Sequence, residues 1–402
     1  MELRELRAEE IEEVVSHLDL VFDDAPREMF EAAYMRDSAF DPSQVQVVIE
    51  DGKIVASVLC SPRHIRIGGT RVLMGAIGGV STHPDYQRRG FSSALLRAQI
   101  ARMEEHGYHM SMLFTGLTRF YQRLGWEPFP AHSRSTVSLP SQLPESRPSA
   151  YHVRPWVEKA DMPGMMACYD DYNATRTLTE VRSPQYWRDR QAGRQRWSPS
   201  LVAERDGQIC AYLSGSSRRV HEAGCRHGHL TAFVPLAEAM LREAIEAAHE
   251  TISCALPLSH PVLEHIRNCG PSYATHTMTE AMMLRVISLQ ALLQQLSPEL
   301  SRRLEQAYFA PGRPLAITLS QMGQSATVHA HNRQVSVSDQ PGDVELPLTG
   351  RQLFLLLCGA ATIDQLAEVL QVSGVSLPEP HLRLLRVLFP PQEPFYWSAD
   401  RF

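Results

Sequence analysis

The sequence predicts an α+β chain in which a helix-and-strand unit occurs twice and a smaller third unit follows. Three observations predict it. Helix and strand signals alternate through residues 1–140. The segment LVAERDGQICAYL at 201–213 echoes VVIEDGKIVASVL at 47–59, each a strand, an Asp-Gly turn and a returning strand. The Pro- and Ser-rich stretch SLPSQLPESRPSA at 138–150 separates the two copies as a linker. The expected units are residues 1–140, 150–284 and 285–402.

In the first unit, the periodicity predicts helices over Ala8 to Leu20 and Asp24 to Tyr34. Val45 to Glu50 and Ile54 to Cys60 read as a hairpin around Asp51-Gly52, and Ile65 to Ile67 and Arg71 to Leu73 flank a turn at Gly68-Gly69. Ala76 to Thr82 is a strand. From Phe91 the period changes: Leu95, Leu96, Gln99, Ile100 and Met103 fall on one helical face, which ends near Gly107. Met110 to Phe114 is the next strand, and Phe120 to Leu124 a short helix closed by Gly125. In the second unit, HLTAFVP at 229–235 is read as the counterpart of GGVSTHP at 78–84, a strand leading through proline into a helix. The third unit shows helices at Leu289 to Leu296, Pro298 to Ala307, Gly350 to Cys358 and Ile363 to Leu370. Its strands are Leu315 to Leu319, Ala326 to His331 and Gln334 to Ser338. The aromatic tail, Phe395, Tyr396, Trp397 and Phe402, is expected to pack rather than float.

Composition narrows the function classes. The chain has 402 residues, 44% hydrophobic and 21% charged, enough apolar material for a core in each unit. A formal net charge of -6 gives no reason to expect a nucleic-acid partner. No apolar stretch reaches bilayer-spanning length, and the opening MELRELRAEEIEEV has no apolar signal core. The expectation is a cytoplasmic protein without a membrane partner. The seven cysteines are odd in number and form no C-x-x-C pair, so free buried thiols are expected. The pairs His227/His229 and His329/His331 lack an acidic or cysteine partner at ligand spacing, so no metal is expected.

The chemistry concentrates in GGVSTHPDYQRRGFSSALLRAQIARM, residues 78–103. A strand ending at Thr82 runs into Gln87, Arg88, Arg89 and Gly90, and a helix follows at once. Backbone amides from Arg88 through Ser93 converge as the loop enters the helix, where unpaired N–H groups and the helix dipole favour an anion. Gly90 allows close approach, Ser92 and Ser93 keep the helix start open, and Arg88 and Arg89 offer charge-assisted bonds to phosphate. The run contains neither a Walker loop nor a G-x-G-x-x-G fingerprint. On the residues alone, an anion-binding loop competes with an ordinary solvated arginine pair at a helix start.

Gln87-Arg88-Arg89-Gly90-Phe91-Ser92 resembles motif A of the GCN5-related N-acetyltransferase (GNAT) superfamily, Q/R-x-x-G-x-G/A, with serine in the last place. FYQRLGW at 120–126 resembles the superfamily's second signature. The V-x-x-H-P-x-x-Q-R-R-G-F run at 80–91, the duplication, the run ELPLTGRQLFLLLCG at 345–359 and the terminal phenylalanine resemble the three-domain Eis (enhanced intracellular survival) acetyltransferases. That resemblance implies tandem GNAT-like domains, each a mixed central sheet flanked by helices. Residues 1–140 would be the catalytic domain, 150–284 a degenerate copy, and 285–402 a sterol-carrier-protein-like α/β domain.

The resemblance further implies an acetyl-CoA-dependent N-acetyltransferase acting on a primary amine of a small molecule, and a homo-oligomer, possibly a hexamer. Val80, Ser81, Thr82, Arg88, Arg89, Gly90, Phe91, Ser92, Ser93, Gly116 and Leu117 would hold acetyl-CoA. Tyr121 would be the general acid. The carboxylate of Phe402 would be the general base, with Asp24, Glu127 and His83 as competitors. Gly116-Leu117-Thr118-Arg119 stands where the family has Ser-Glu-Gly-Gly, and an inward Arg119 would disfavour a polycationic acceptor. A protein or peptide N-acetyltransferase and a non-enzymatic coenzyme A- or lipid-binding protein are the alternative functions.

Overall fold

The computed structural model describes residues 2–143, 148–192, 199–269, 273–279, 281–309, 312–372 and 375–402; the centre of the 138–150 linker lies outside them. The chain begins with β1 (Glu2–Glu5), α1 (Ile11–Val21), α2 (Arg27–Glu31), β2 (Val45–Glu50), β3 (Lys53–Ile67), β4 (Thr70–Thr82), α3 (Phe91–Glu105), β5 (Met110–Phe114), α4 (Thr118–Gln122) and β6 (Glu127–Pro128). Next come β7 (Ala131–Ser138), β8 (His152–Pro155), α5 (Glu158–Asn173), α6 (Pro184–Ala192), β9 (Pro199–Arg205), β10 (Gln208–Ser216) and β11 (Arg219–Cys225). This stretch closes with α7 (Phe233–Glu246), β12 (Thr251–Cys254), α8 (Pro261–Cys269), β13 (Ala274–Thr279) and β14 (Met282–Val286). The last part holds α9 (Leu289–Gln306), β15 (Leu315–Gln321), β16 (Gln324–His331), β17 (Gln334–Ser338), β18 (Val344–Pro347), α10 (Gly350–Leu357), α11 (Ile363–Val372) and α12 (Glu379–Leu388).

Two mixed sheets carry the repeat. The first has the strand order β1-β2-β3-β4-β5-β14-β6, the second β13-β7-β12-β11-β10-β9-β8. Each has one parallel step bridged by a helix, β4–α3–β5 in the first and β11–α7–β12 in the second. The two Asp-Gly turns are conformational twins: Asp51 and Gly52 have φ of 52° and 74°, Asp206 and Gly207 53° and 74°. Both residues of each turn are left-handed, as a tight hairpin matching the strand twist requires. The sheets also exchange strands. β14 lies against β5 and completes the first sheet, while β7 lies against β12 and completes the second.

Three sequence expectations change. HLTAFVP is not a strand: β11 stops at Cys225, and Phe233, Val234 and Pro235 already form the first turn of α7. Its apolar residues recur as Phe233, Leu236, Ala237, Met240 and Leu241, a helical stripe that outweighs the local β preference. The segments on either side of Cys60 to Ile65 join into one 15-residue strand, β3. The two helices expected around Pro298 are one, α9. Proline cannot donate to the carbonyl of Gln294, four residues back, and the Ser297 hydroxyl donates to it instead at 2.8 Å, so the helix continues.

The first sheet is covered on both faces. With period two, Val45, Val47 and Leu59 pack under α1 and α2 with Val14, Val15 and Leu18. Val48, Val58 and Cys60 face α3, which presents Leu95, Leu96 and Met103. Farther along β3 and β4, Ile65, Ile67, Val72 and Met74 meet the leucine stripe of α9, which fuses the third part to the first sheet. The third sheet, β17-β16-β15-β18, packs behind α9. The seven cysteines are free thiols and six are buried. No helix among the described residues is long and apolar enough to cross a membrane. None of their His, Cys, Asp and Glu side chains group to hold a metal ion.

Candidate active site

Strands β4 and β5 pair only from Met74–Ala76 to Met110–Met112. Beyond Ala76, β4 runs on alone to Thr82 and the two strands part. Across β3, Val58 stands opposite two residues of β4, Gly79 and Val80, because Ser57 pairs with Ser81 and Leu59 with Gly78. This bulge bends β4 at the point where it leaves β5. Gly79 has φ of 57°, and a Cβ there would meet the Tyr34 hydroxyl at 2.7 Å, so both conformation and space call for glycine.

The loop after β4 is shaped for an anion. His83 donates its backbone N–H to Val55, a short 3-10 turn spans Pro84–Tyr86, and Arg88 and Gly90 both take left-handed conformations, φ 62° and 82°. Gly90 then begins the 15-residue α3 without a side-chain cap. The first helical bond is Ala94 N–H to Gly90 C=O, so the amides of Phe91, Ser92 and Ser93 have no intrahelical acceptor. No atom lies within 4 Å of the Cβ position at Gly90. Three unpaired donors, a helix dipole and an open glycine make a cradle that fits a pyrophosphate. The Thr82 and Ser92 hydroxyls, 2.7 Å apart, tie the strand end to the helix start.

A cleft of about 650 Å³ opens here. It is lined by Val80, Ser81, Thr82, Arg88, Gly90, Phe91, Ser92, Ser93, Leu117 and Tyr121 from the sequence-based set, joined by Val21, Tyr86, Gln87, Phe120 and Arg123. Two expected residues are absent from the lining. Arg89 lays its guanidinium 4.8 Å from the Tyr86 ring centroid and 3.6 Å from Glu50, and Gly116 is exposed. Tyr121 is 7% exposed and stands edge-on to Phe120 and Trp126. Burial pushes its hydroxyl up to about 12, so it holds its proton at neutral pH.

A second cavity, about 330 Å³, adjoins the same strand. Phe22, Met29, Phe30, Tyr34, Leu59, Ala76, Gly78, Gly79, Arg401 and Phe402 are among its walls. Thus β4 lines one cavity with Ala76, Gly78 and Gly79 and the other with Val80–Thr82, with Phe402 in the first and Tyr121 in the second. Arg119 is exposed and lines neither; the cationic side chain in the Phe402 cavity is Arg401. Asp24, Glu127 and His83 line neither cavity.

What brings Phe402 there is a buried ionic cluster. Asp400 accepts from Arg182 Nε and Nη2, both at 2.9 Å, and from the Tyr186 hydroxyl at 2.7 Å. Arg182 also grips Glu222 through Nη1 at 2.9 Å and Nη2 at 2.5 Å, and Tyr212 donates to Glu222 at 2.6 Å. The Arg182, Glu222 and Asp400 side chains are at most 1% exposed. The Tyr396 hydroxyl lies 2.8 Å from Glu180 Oε2 and 2.9 Å from the Asp400 carbonyl, and Trp397 donates to Asn173 at 3.0 Å. Unpaired, such charges would cost several kcal/mol each; satisfied from both sides, they fix one geometry for the tail. Phe402 then stacks edge-on to Phe114 with centroids 5.4 Å apart.

Sequence reasoning missed a second polar chain, beneath the bulge. His17 Nε2 lies 2.9 Å from the Ser81 hydroxyl, which lies 2.8 Å from that of Ser57. Burial, then the charge of His83, lowers the His17 imidazole to about 4, so it is neutral at pH 7. Nothing in an amphipathic N-terminal helix marks that histidine; only the fold brings it to Ser81.

Residues 2–129 match the family model described as an acetyltransferase (GNAT) domain. An uncharacterized N-acetyltransferase of Streptomyces griseus is 30% identical over 89 residues, a match spanning 22% of this chain and 21% of that protein. The chain thus spans about a fifth of the length of the curated relatives it matches. Three solved structures share the whole-chain fold. A probable N-acyltransferase from Enterococcus faecalis has a TM-score of 0.77 at 16% identity, covering 100% of this chain and 99% of that one. Eis1 from Mycobacterium abscessus has 0.71 at 16%, covering 100% of both. A GCN5-related N-acetyltransferase from Kribbella flavida has 0.71 at 20%, covering 100% and 98%.

Proposed function

With residues 2–129 forming a GNAT acetyltransferase domain in a chain of Eis-like fold, we propose that this protein transfers an acetyl group from acetyl-CoA to a primary amine of a small molecule. One observation carries the reading. The uncapped start of α3 opens into a cleft walled by β4 at Val80–Thr82, and the preceding residues of the same strand, Gly78 and Gly79, wall a second cavity that holds Phe402.

In this reading the amides of Phe91, Ser92 and Ser93, with Arg88, hold the pyrophosphate. The free edge of β4 from Val80 to Thr82 aligns the pantetheine arm, and Leu117 closes over it. Acetyl-CoA supplies the acetyl thioester. The chain's own groups manage charge and protons. A β4 amide, Val80 or Thr82, faces the thioester oxygen and stabilises negative charge there. Tyr121 keeps its proton on Oη until the departing sulfur needs it. The α-carboxylate of Phe402 takes the proton of the attacking amine, directly or through water. We assign residues 150–284 a scaffolding role without coenzyme A, and residues 285–402 a sterol-carrier-protein-like architecture, which by itself implies no lipid ligand. By the same resemblance the assembly is a homohexamer; light scattering giving the mass of one 45.2 kDa chain at micromolar concentration contradicts this.

Tyr121→Phe should lower turnover by about tenfold or more, the usual size of general acid catalysis, while leaving acetyl-CoA affinity unchanged. Since burial raises Tyr121 to about 12, it stays protonated well past the ordinary tyrosine value of about 10. Wild-type kcat should therefore show no alkaline decline up to about pH 10 from this group. Stopped-time thiol release across pH checks both expectations. Wild-type turnover in the phenylalanine variant would return Tyr121 to a packing role.

A further inference from the structure

The walls of the Phe402 cavity specify the acceptor's chemistry. Phe22, Met29, Phe30, Tyr34 and Phe402 make it apolar and largely aromatic. It has room for a ring and a short arm, about 330 Å³, near the lower end of ordinary ligand pockets. Gly78 and Gly79 form its wall on β4, and the Cβ position of Gly78 faces open space.

No carboxylate side chain belongs to the lining, and its one cationic side chain is Arg401. Asp23 and Asp24 sit next to Phe22 in the chain, but both are exposed and outside the lining. On α2, Glu31 is engaged by Arg27 at 3.0 Å and by Arg36 at 3.4 Å. An acceptor bearing several ammonium groups would have to desolvate them against aromatic rings, beside a like charge, with the α-carboxylate of Phe402 as the one counter-ion in the lining. The reacting amine escapes this cost because it attacks in its neutral form.

Arg401 faces the opposite need. Its guanidinium lies over the Phe114 ring, 5.0 Å from the centroid. Among the described residues no carboxylate lies within ion-pair distance of it. Arginine keeps its charge at any ordinary pH and presents a planar fork that matches a carboxylate. Arg401 shares the cavity lining with Phe402, the residue proposed to take the amine's proton.

Building on the acetyl-transfer reading above, we propose that the acceptor is a primary amine on a compact, ring-sized apolar body, with one acid group near the amine that meets Arg401, and that polycations are excluded. Apolar α-amino acids and their close analogues have this chemistry.

The test is a kcat/KM panel with full-length protein and acetyl-CoA: L-phenylalanine and L-tryptophan, the acid-free phenethylamine and tryptamine, and the polycations spermidine and kanamycin. The acid-bearing apolar amines should exceed the polycations by about a hundredfold or more. Arg401→Gln should cut kcat/KM about tenfold for the acid-bearing amines and leave the acid-free pair within about threefold. Polycations turned over as well as L-phenylalanine would overturn the inference and leave the acetyltransferase reading intact. So would equal loss for both apolar pairs in Arg401→Gln. If no amine releases thiol and acetyl-CoA gives no heat of binding, the underlying reading fails instead, and this inference with it.

Discussion

Gly90→Glu should abolish measurable acetyl-CoA binding in a protein that still folds. Gly90 sits at φ 82°, where a side chain costs roughly 1–2 kcal/mol. That strain is small against the stability of a domain, so folding survives. Binding does not, because the new side chain grows into open space at the mouth of the cleft, with no atom within 4 Å of its Cβ. Its carboxylate then stands before the unpaired amides of Phe91, Ser92 and Ser93 and repels a pyrophosphate from the donors that would hold it. Gly90→Ala separates strain from charge: it adds the strain without the carboxylate and should weaken affinity far less. Calorimetric titration decides the matter. Unchanged affinity in folded Gly90→Glu would remove the loop from the cofactor site.

Adding three residues after Phe402 should cut turnover about a hundredfold or more, because a displacement of about 1 Å in a reacting group already costs that much. Melting temperature and acetyl-CoA affinity should hold. The reason lies upstream: the tail is fixed by Asp400 on Arg182 and by Tyr396 and Trp397, none of which the extension touches. Phe402→Leu keeps the carboxylate and some apolar contact with Phe114, and should be much milder. If the extended chain turns over like wild type, the α-carboxylate of Phe402 is not the base, and the neutral His17 beside Ser81 becomes the next residue to examine. If both variants lose their fold, the tail is structural.

How much of this was legible in the sequence follows from the range of each interaction. The Asp-Gly turns, the helix from Phe91 and the loop that precedes it are local, and residue order alone specifies them. The strand exchange is not. β7 and β14 are ordinary short strands, and nothing within them says that each crosses to the other sheet. HLTAFVP misled because Thr231, Phe233 and Val234 suit a strand, and only the spacing downstream shows the helix. Pro298 looked like a helix end because the rescue of Gln294 by Ser297 depends on a rotamer.

At the site, the cradle and Tyr121 were readable, since motif spacing sets them. The partners that seat the tail were not: Asp400 meets Arg182 across 218 residues of chain. Arg119 lines neither cavity, and Arg401, which the sequence did not single out, lines the second. Arg119 is near the site in sequence, whereas Arg401 is near it only in space.

The central claim is that the two cavities lined by successive residues of β4 are the two halves of one acetyl-transfer site. Its most direct measurement is thiol release from acetyl-CoA over a panel of small primary amines, with the amine product identified by mass spectrometry in the same samples. The account predicts free thiol and N-acetylated amine in equal amounts, with neither above background in Gly90→Glu. Folded wild-type protein that binds acetyl-CoA, yet releases no more thiol with any amine than without one, would contradict it.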